Sequence, residues 1–519
     1  MVTAASRRRT HVYIVTGSFS ATSGGRTRSS FLKASALAGS YGSCSILTFN
    51  WRLDYDESAR GWLRSVGAPA NVQVENFYEY LAAEPLFGGD GPWTPFVAPD
   101  GASYNARKSS WDERASDGSL VRRHVLREDG GLNYVDEWSS GVRIRHLNAD
   151  RNGATRVVSV VRPGTREYQS RERRTVHGRV FAEERIDGDG DVTMRVIGGP
   201  ADTEGAYVSV RDLEYGWIRY LHDRADEAVF LSEARAYDGH VAVLNPHLPP
   251  GGLRTVATVH SNHLRPPYAD VHSVWTYNDW ALSHASDFGA LVVLTERQRR
   301  DVEAHYGPCP SLVTIGHPVA PSPRPRLRTS IHAVLSRPPR IVVVTRLVRV
   351  KRLDDVLEAF RQVRRAVRGA RLEVWGSGDE EEALQARAEK LKLKGVRFAG
   401  RTDDPVGAFR RGQVSVSTSI TEGFGMSTLE SLSAGTPVVA YDYRYGPRDL
   451  VVPGRNGYLV PDGDVDELAR RIVDVLSRPR RARLMGVWAS TARVTRSQRR
   501  WVRRWVRVID STARRQGVD

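Results

Sequence analysis

The sequence predicts an α/β protein with two doubly wound domains and an antiparallel β domain inserted into the first of them. Three observations support this prediction. Short apolar strand patterns alternate with helical patterns in two separate stretches of the chain. A segment rich in proline and basic residues, 320–340, separates these stretches. Between 85 and 200, frequent turn signals and short runs of alternating polar and apolar residues replace the helix and strand alternation.

These changes in pattern divide the chain into five predicted regions. The first doubly wound domain comprises residues 1–84 and 201–322, the β-meander 85–200, a linker 323–340, the second doubly wound domain 341–485, and a basic C-terminal helix 486–519. In the first domain we predict strands at His11–Thr16, Ser43–Asn50, Ala228–Leu231, Val241–Asn245, Thr255–Val259 and Leu291–Thr295, and helical structure up to Glu84. In the C-terminal helix, Trp501, Val502, Trp505, Val506 and Ile509 recur at helical spacing, which favours packing on the protein body.

Composition indicates a globular protein with an anionic partner. The 519 residues are 40% apolar and 26% charged, which is typical of soluble domains, but the formal net charge is +16. Such an excess is typical of proteins that bind nucleotide phosphates, a polyanionic polymer, a membrane surface or nucleic acid, although part of it is explained equally well by solvated surface.

The sequence also favours a cytoplasmic location. Cys44 and Cys309 are the only cysteines, and they are too far apart in the sequence to suggest a disulfide framework. The basic residues Arg7–Arg9 are not followed by an apolar segment, and no apolar run reaches about 18 residues. We therefore expect neither secretion nor a membrane-spanning helix, while the basic C-terminal helix leaves contact with the inner face of the cell membrane open.

A strand, a turn and a helix late in the chain contain the main candidate site. The run Val414–Ile420 is followed by Glu422-Gly-Phe-Gly-Met-Ser-Thr-Leu-Glu430 and by a helical pattern that closes at Gly435-Thr-Pro437. The first backbone N–H groups of such a helix lack intrahelical partners and lie at the positive end of its dipole, so they can receive a phosphate. Glu422 is predicted at the strand end, and Glu430 about two turns into the helix.

Two cations follow the first strand of the second domain. Arg346 comes directly after the strand pattern Ile341–Thr345, and Lys351 lies on the same loop. Ligands of doubly wound domains bind at the carboxyl ends of the strands, where two such cations can clamp a diphosphate. Solvated residues at a helix start are the alternative interpretation, and the Glu422–Glu430 segment on another strand of the same domain favours the functional one.

Two histidines and a group of aspartates are the candidate metal ligands in the sequence. His260 ends a strand pattern of the first domain, where it can accept a proton or bind a hydroxyl group. His260 and His263 lack a third ligand in the sequence nearby. The segment Asp187–Asp191 resembles a calcium loop, but Val192 and Gly198 replace the required glycine and carboxylate. We therefore predict no metal site.

Together these residues resemble a known family. The E-x7-E spacing of Glu422 and Glu430, combined with Arg346 and Lys351 after the first strand of the second domain, resembles the retaining glycosyltransferases of family 4. The resemblance covers the chain apart from the meander. It implies the GT-B fold, in which two Rossmann-like domains face each other across a cleft.

Two further segments and the inserted domain resemble one branch of that family. The segments Tyr441–Pro447 and Val259–His263, with the inserted β-meander, resemble the enzymes that glycosylate wall teichoic acid. The same branch includes enzymes that add N-acetylglucosamine to serine-rich adhesins. The resemblance therefore implies a UDP-sugar donor and either a polyol-phosphate or a protein acceptor.

The resemblance also implies a role for each site residue. Arg346 and Lys351 would hold the diphosphate of the UDP-sugar and Glu430 its ribose hydroxyls, while Glu422 would lie near the anomeric carbon and His260 would contact the donor sugar or the acceptor. Further donor contacts would come from Gly423, Phe424, Gly425, Met426, Ser427 and Thr428 over sugar and phosphate, from Gly24 and Gly25 on the phosphates, and from Gly400 and Arg401 at the uracil. Such enzymes retain the anomeric configuration without a metal, so no cofactor is expected.

The main hypothesis is a hexosyltransferase that moves glucose or N-acetylglucosamine from a UDP-sugar to hydroxyls of a polyol-phosphate polymer such as teichoic acid. A protein O-glycosyltransferase acting on serine-rich proteins is the first alternative. A catalytically inactive GT-B partner subunit is the second, and the intact set of Arg346, Lys351, Glu422 and Glu430 argues against it. No nucleic-acid-binding module is recognisable. The strand edges of the meander favour a homo-oligomer.

Overall fold

The computed structural model describes residues 4–20, 25–53, 55–86, 95–150, 152–242, 254–319 and 339–515. The chain divides into two compact units, Met1–Leu253 and Arg254–Asp519. Most of the predicted linker, 323–338, lies outside the described residues, as do 243–245 of one predicted strand.

Four parallel strands form the centre of the α/β part of the first unit. They pair in the order β14-β1-β2-β3, where β1 is Thr10–Gly17, β2 is Ser43–Thr48, β3 is Val72–Asn76 and β14 is Glu227–Ser232. The helices of this unit are α1 Ala4–Arg9, α2 Gly25–Leu37, α3 Tyr55–Ser65, α4 Phe77–Ala82, α5 Val210–Asp223 and α6 Asp238–Ala242.

Two predicted elements of this unit are wrong. Helical structure was predicted up to Glu84, yet Val72–Asn76 forms β3 and pairs with β2. Its two valines alternate with polar residues at the strand period of two, a short pattern that the flanking helices obscured. Val241, predicted to begin a strand, lies instead in the last turn of α6.

An antiparallel meander is inserted between β3 and β14, as predicted. Its ten strands pair in chain order, so each is joined to the next by a hairpin. They are β4 Ser103–Asn105, β5 Ser110–Arg114, β6 Leu120–Leu126, β7 Leu132–Ser139, β8 Val142–Ala149, β9 Thr155–Val161, β10 Tyr168–Arg174, β11 Val180–Ile186, β12 Val192–Val196 and β13 Val208–Ser209. The turn predicted at Asp187–Asp191 is a hairpin turn in which the Asp187 carboxylate accepts two backbone N–H groups.

Buried arginine attaches this meander to the rest of the first unit. The guanidinium of Arg173 in β10 lies 4.4 Å from the ring centroid of Tyr78 and 5.0 Å from that of Trp51. It also donates to Glu184 on β11 at 2.5 Å, and both side chains are buried. Part of the arginine excess therefore has a structural role.

Replacing Arg173 with alanine is expected to lower the free energy of unfolding by about 3 kcal/mol, because Glu184 would be buried with only its longer contact to Arg171. Arg174→Ala is the matched control, since Arg174 pairs with the more exposed Glu172 and should cost less than about 1 kcal/mol. Chemical denaturation measures both values. Equal losses would show that the buried position of Arg173 has no special importance.

The second unit contains two sets of parallel strands. The first set pairs in the order β17-β16-β15, with β15 Arg254–Val259, β16 Ala290–Val293 and β17 Leu312–Thr314. The second set forms a sheet in the order β20-β19-β18-β21-β22-β23, with β18 Arg340–Val344, β19 Arg371–Trp375, β20 Val396–Phe398, β21 Val414–Ser417, β22 Val438–Tyr441 and β23 Gly457–Val460. The strands predicted at Thr255–Val259, Leu291–Thr295 and Ile341–Thr345 correspond to β15, β16 and β18 to within one or two residues, whereas β17 and β23 were not predicted.

The helices of the second unit cover the strands and form the C-terminal segment. They are α7 Thr276–Ser283, α8 Glu296–Tyr306, α9 Leu353–Ala366, α10 Glu381–Lys390, α11 Pro405–Phe409, α12 Met426–Ala434, α13 Pro447–Leu450, α14 Val465–Ser477, α15 Pro479–Ser490, α16 Ala492–Thr495 and α17 Gln498–Arg515. Trp501, Trp505 and Ile509 on α17 are buried. Cys44 and Cys309 are both free. Among the described residues, we find no helix with the length and hydrophobicity that crossing a bilayer requires.

Candidate functional site

A cavity of about 440 Å³ lies in the second unit, next to the loops that follow β18 and β21. Because β18 and β21 are neighbours in a parallel sheet, their carboxyl ends bring the two loops together. The lining residues are Ser261, Asn262, Tyr268, Trp275, Tyr277, Asn278, Arg346, Val350, Lys351, Thr421, Glu422 and Gly423. Arg346, Lys351, Glu422 and Gly423 were predicted to share a site, and they line one cavity.

The two predicted cations differ in their surroundings. The exposed side chain of Arg346 has no ion-pair or hydrogen-bond partner among the described residues. Lys351 forms an ion pair with Glu422, and both side chains are largely shielded from solvent, at 12% and 23% exposure. The Ser419 hydroxyl donates to the same Glu422 oxygen at 3.0 Å. Glu422 is therefore oriented by two donors, while Arg346 is available for a ligand.

The start of α12 adds a third positive group. Its N-cap is Gly425, at φ +85°, which supplies no side-chain acceptor, and the first turn contains no acidic residue. The first N–H groups of the helix are therefore left for a ligand, at the positive end of the helix dipole. The Ser427 hydroxyl donates to the carbonyl of Val344 at 2.5 Å, which fixes the helix start against the end of β18.

Gly423 allows the β21 loop to pass close to His260. A Cβ atom at position 423 would lie 1.9 Å from the carbonyl oxygen of His260, so a larger residue would displace one of the two backbones. The His260 ring stacks on His317 with centroids 6.0 Å apart, and His317 meets Phe424 edge-on at 5.3 Å. His260 thus contacts the site through its backbone and belongs to a ring cluster beside it.

A loop that sequence reasoning missed forms the other side of the cavity. Asn262 donates to the Thr421 hydroxyl at 2.8 Å and to the carbonyl of Arg444 at 3.2 Å. The Arg444 guanidinium donates to the carbonyls of Tyr268 and Ala269. These polar contacts, which no periodic sequence pattern reveals, fix residues 262–275 against the β21 loop.

Aromatic residues and an amide complete this side of the cavity. Trp275 and Tyr277 are 45% and 59% exposed. Asn278 is buried, and its carboxamide oxygen has no hydrogen-bond partner among the described residues. The dense aromatic segment Trp275–Trp280 was the one signal in the sequence that could have identified this side. Exposed aromatic faces beside an unpaired amide are suited to a ligand with C–H surfaces and hydroxyl groups.

Other predicted site residues are not among those that line the cavity. Glu430 is on α12 and is not among the lining residues. Gly400 and Arg401 follow β20, which is separated from β18 by β19, and they do not line the cavity. Gly24 lies outside the described residues, and Gly25 begins α2. The predicted roles of these five residues stay predictions.

His263, weighed as a metal ligand with His260, is a buried residue. Its side chain is fully shielded, neither ring nitrogen has a hydrogen-bond partner among the described residues, and the ring stacks on Tyr445. Burial, with smaller contributions from the positive charges of Arg444 and His305, lowers the pKa of His263 to about 4. No group of three potential metal ligands occurs in the described part of the chain.

The lowered pKa of His263 predicts acid sensitivity. Between pH 6.5 and about 4 the unfolded chain binds a proton at this position and the folded chain does not. The free energy of unfolding therefore decreases as the pH is lowered through this range, by up to about 3 kcal/mol. We expect His263→Leu to flatten the dependence of unfolding free energy on pH in this range. His177→Leu, at an exposed hairpin position, is the control. An unchanged slope in His263→Leu would contradict the assignment.

Comparison with known proteins shows which proteins this chain is similar to. Residues 329–489 match the family model described as glycosyl transferases group 1. The chain is 30% identical over 267 residues to the poly(glycerol-phosphate) alpha-glucosyltransferase of Bacillus subtilis, an alignment that covers 51% of this chain and 38% of that protein. It is 26% identical over 301 residues to the UDP-N-acetylglucosamine–peptide N-acetylglucosaminyltransferase GtfA subunit of Limosilactobacillus reuteri, covering 55% and 54%. The alignments thus span about half or less of these relatives.

Similarity in three dimensions covers nearly the whole chain. A crystal structure of a Staphylococcus aureus TarM mutant in complex with Fondaparinux, alpha-GlcNAc-glycerol and UDP matches with a TM-score of 0.78 at 17% identity, covering 96% of this chain and 99% of that one. At this identity the match shows the fold. The chain has the GT-B fold with an inserted antiparallel meander, which confirms the predicted fold and the resemblance stated from the sequence.

Proposed function

We propose that this chain, whose residues 329–489 match the family model of glycosyl transferases group 1, is a hexosyltransferase that moves glucose or N-acetylglucosamine from a UDP-sugar to hydroxyls of a polyol-phosphate polymer. The observation that supports this most is the arrangement of Arg346, Lys351 and Glu422 around one cavity beside the uncapped start of α12. Breaking a glycosyl–phosphate bond leaves negative charge on UDP and positive charge on the sugar. The reaction therefore needs cations at one end and a carboxylate near the other.

In the proposed donor complex, Arg346 and the first N–H groups of α12 bind the diphosphate. Lys351 has three N–H donors, so it can hold Glu422 with one and a phosphate oxygen with another. Glu422 accepts from Lys351 and Ser419 through one oxygen, which leaves its second oxygen for a sugar hydroxyl near the anomeric carbon. Glu430 binds the ribose, and His260 contacts the sugar or the acceptor.

We further propose that transfer retains the anomeric configuration and needs no metal ion. Two side-chain cations and a helix terminus provide the positive charge that a metal ion supplies in other phosphate sites. A reaction carried out in EDTA should therefore proceed at the rate seen with magnesium.

The aromatic side of the cavity is proposed to bind the acceptor. Trp275 and Tyr277 offer faces for the C–H groups of a polyol or sugar, and Asn278 offers an amide to its hydroxyls. The Arg265 guanidinium lies 6.0 Å from the Trp275 ring centroid and donates to Thr276, which places a cation beside the aromatic face for an acceptor phosphate. Similarity to the poly(glycerol-phosphate) alpha-glucosyltransferase of B. subtilis supports a polyol-phosphate acceptor, and the alpha-GlcNAc-glycerol in the TarM complex supports a polyol hydroxyl as the group that is glycosylated.

Replacing Trp275 with alanine should raise KM for the polymer about tenfold, since the loss of about 50 Å² of apolar contact costs about 1.4 kcal/mol. The KM for the UDP-sugar should stay within about twofold, because the proposed donor contacts lie elsewhere. Initial-rate kinetics with each substrate varied in turn measure both constants. A change confined to the donor KM would place the acceptor elsewhere.

A protein acceptor is the second candidate, and similarity to the GtfA subunit favours it. UDP-glucose and UDP-N-acetylglucosamine should each be tested against poly(glycerol phosphate), poly(ribitol phosphate) and a serine-rich peptide, with transfer as the readout. We expect transfer to a polyol-phosphate polymer. Transfer to the peptide alone would replace the proposed acceptor and keep the proposed chemistry, while transfer in no combination would contradict the proposed function.

Self-association through the meander and a cytoplasmic location are also proposed. Val121, Val142, Ile144 and Val160 are exposed apolar residues on β6, β8 and β9, and together they offer a surface for a second copy of the chain. The two free cysteines are compatible with a reducing compartment. Light scattering that gives the mass of a single chain would contradict self-association.

A further inference from the structure

The segment between Asp474 and Asp510 carries most of the net charge of the protein. These 35 residues, 475–509, contain 11 arginines and no aspartate, glutamate or lysine. Their charge of +11 accounts for most of the formal +16 of the whole chain. The segment spans the end of α14, the helices α15 and α16, and most of α17. Its charge favours an anionic partner.

The apolar residues of this segment fall into two groups. On α17 the large residues Trp501, Trp505 and Ile509 are buried and therefore unavailable to a partner. On α15, Leu484, Val487 and Trp488 are 65%, 61% and 51% exposed. Their spacing of three and four residues places them on one face of the helix. The opposite face of α15, with Ala482, Met485 and Ala489, is buried.

The exposed face continues past the end of α15. Val494 on α16 is 63% exposed, and Val452 is 50% exposed. The Arg455 guanidinium lies 5.2 Å from the ring centroid of Trp488, and Arg480 and Arg483 on α15 are exposed, with no hydrogen-bond or ion-pair partner among the described residues. Arg478 and Arg481 pair with Asp474, whereas Arg455, Arg480 and Arg483 form no ion pair among the described residues and leave positive charge beside the exposed apolar side chains.

We propose that the exposed face of α15 and α16 docks on an anionic lipid bilayer. Leu484, Val487, Trp488 and Val494 enter the boundary between headgroups and acyl chains, where tryptophan is favoured, while the surrounding arginines contact the headgroups. A soluble polyanion such as the acceptor polymer could pair with the arginines but has no apolar region to bury these four side chains. A bilayer provides both anionic charge and an apolar interior.

The docking face lies behind the helix that carries Glu430. On the buried side of α15, Gly486 approaches α12 so closely that a Cβ atom there would lie 2.6 Å from the carbonyl oxygen of Gly435. A bilayer bound to the exposed side would therefore be separated from α12 by the thickness of one helix, about 10 Å. This inference goes beyond the proposed function and does not depend on the identity of the sugar or the acceptor.

Vesicle flotation of the full chain tests the proposal. We expect binding to vesicles of phosphatidylcholine mixed with phosphatidylglycerol and little binding to phosphatidylcholine alone, since each arginine near an anionic surface strengthens binding about fivefold. The double variant Val487→Ser/Trp488→Ser should bind the anionic vesicles about tenfold more weakly or worse. The control Val97→Ser/Tyr104→Ser, at exposed positions of the first unit, should bind like the unchanged protein.

Two results would overturn the proposal. One is absence of binding to anionic vesicles, and the other is unchanged vesicle binding of Val487→Ser/Trp488→Ser. If this double variant keeps vesicle binding but loses affinity for poly(glycerol phosphate), the face is a polymer-binding site instead. Circular dichroism of the double variant, and the single variant Leu484→Ser, separate loss of docking from loss of folding.

Discussion

Replacing Arg346 with alanine is expected to lower kcat/KM for sugar transfer about a hundredfold or more and to leave the fold unchanged. The side chain lines the cavity, has no partner among the described residues and is exposed, so its removal disturbs no packing. In the proposed complex it stabilises the charge that develops on the leaving diphosphate, and loss of one preorganised electrostatic donor has an effect of this size. Initial rates of transfer and a thermal unfolding curve measure the two properties.

The neighbouring Arg349 provides the matched control. It is exposed on the same loop but does not line the cavity, so Arg349→Ala should keep transfer within about twofold. Near-normal turnover by a folded Arg346→Ala variant would contradict the assigned role. Equal losses in the two variants would instead show that the net charge of the loop, rather than the position of Arg346, is what matters.

The ion pair between Lys351 and Glu422 should show strong coupling in a double-mutant cycle. Lys351→Ala removes a cation from the proposed diphosphate site and also one of the two donors that orient Glu422, so we expect a loss of at least about a hundredfold in kcat/KM. Glu422→Gln should cause a comparable loss. The double variant should be only slightly slower than either single variant, because each change already disables the same unit.

Kinetics of the four proteins in the cycle measure this coupling. Lys390→Ala, an exposed lysine on α10, is the control for a change of charge and should leave transfer unaffected. Strictly multiplicative effects of Lys351→Ala and Glu422→Gln would mean that the two residues act independently and that the ion pair has no role in transfer. A pair this close is expected to depart from additivity.

The sequence predicted that Arg346 and Glu422 lie near each other, and both line one cavity. Arg346 and Glu422 each follow an apolar strand of the same parallel sheet, so topology alone brings them to one edge, whatever their side chains do. The direct contact of Lys351 with Glu422 was not predictable, because it depends on side-chain geometry rather than on strand order. The sequence interpretation had assigned the two charges to different parts of the donor.

The parts that sequence reasoning missed depend on contacts between distant residues. Residues 262–275 are fixed by hydrogen bonds from Asn262 and Arg444, side chains 182 positions apart in the chain. Such a loop shows no hydrophobic periodicity, so pattern analysis cannot place it. The short strand β3 was missed for a different reason, since its alternation is only five residues long and is flanked by helical patterns.

Burial likewise separated residues that look equivalent in the sequence. His260 and His263 lie at the end of one strand, yet His263 is fully buried with a lowered pKa, whereas His260 is partly exposed beside Gly423. The apolar residues of α15 and α17 show the same contrast, because tertiary packing covers the stripe of α17 and leaves that of α15 exposed.

Nuclear magnetic resonance of the reaction tests the central claim most directly. The unchanged protein would be incubated in EDTA with a UDP-sugar and a polyol-phosphate polymer, beside Arg346→Ala, and free UDP and new anomeric signals would be followed with time. We predict release of UDP in step with α-linked sugar on the polymer, and almost none with Arg346→Ala. Absence of transfer by the unchanged protein, a β-linked product, or equal rates for the two proteins would contradict the account.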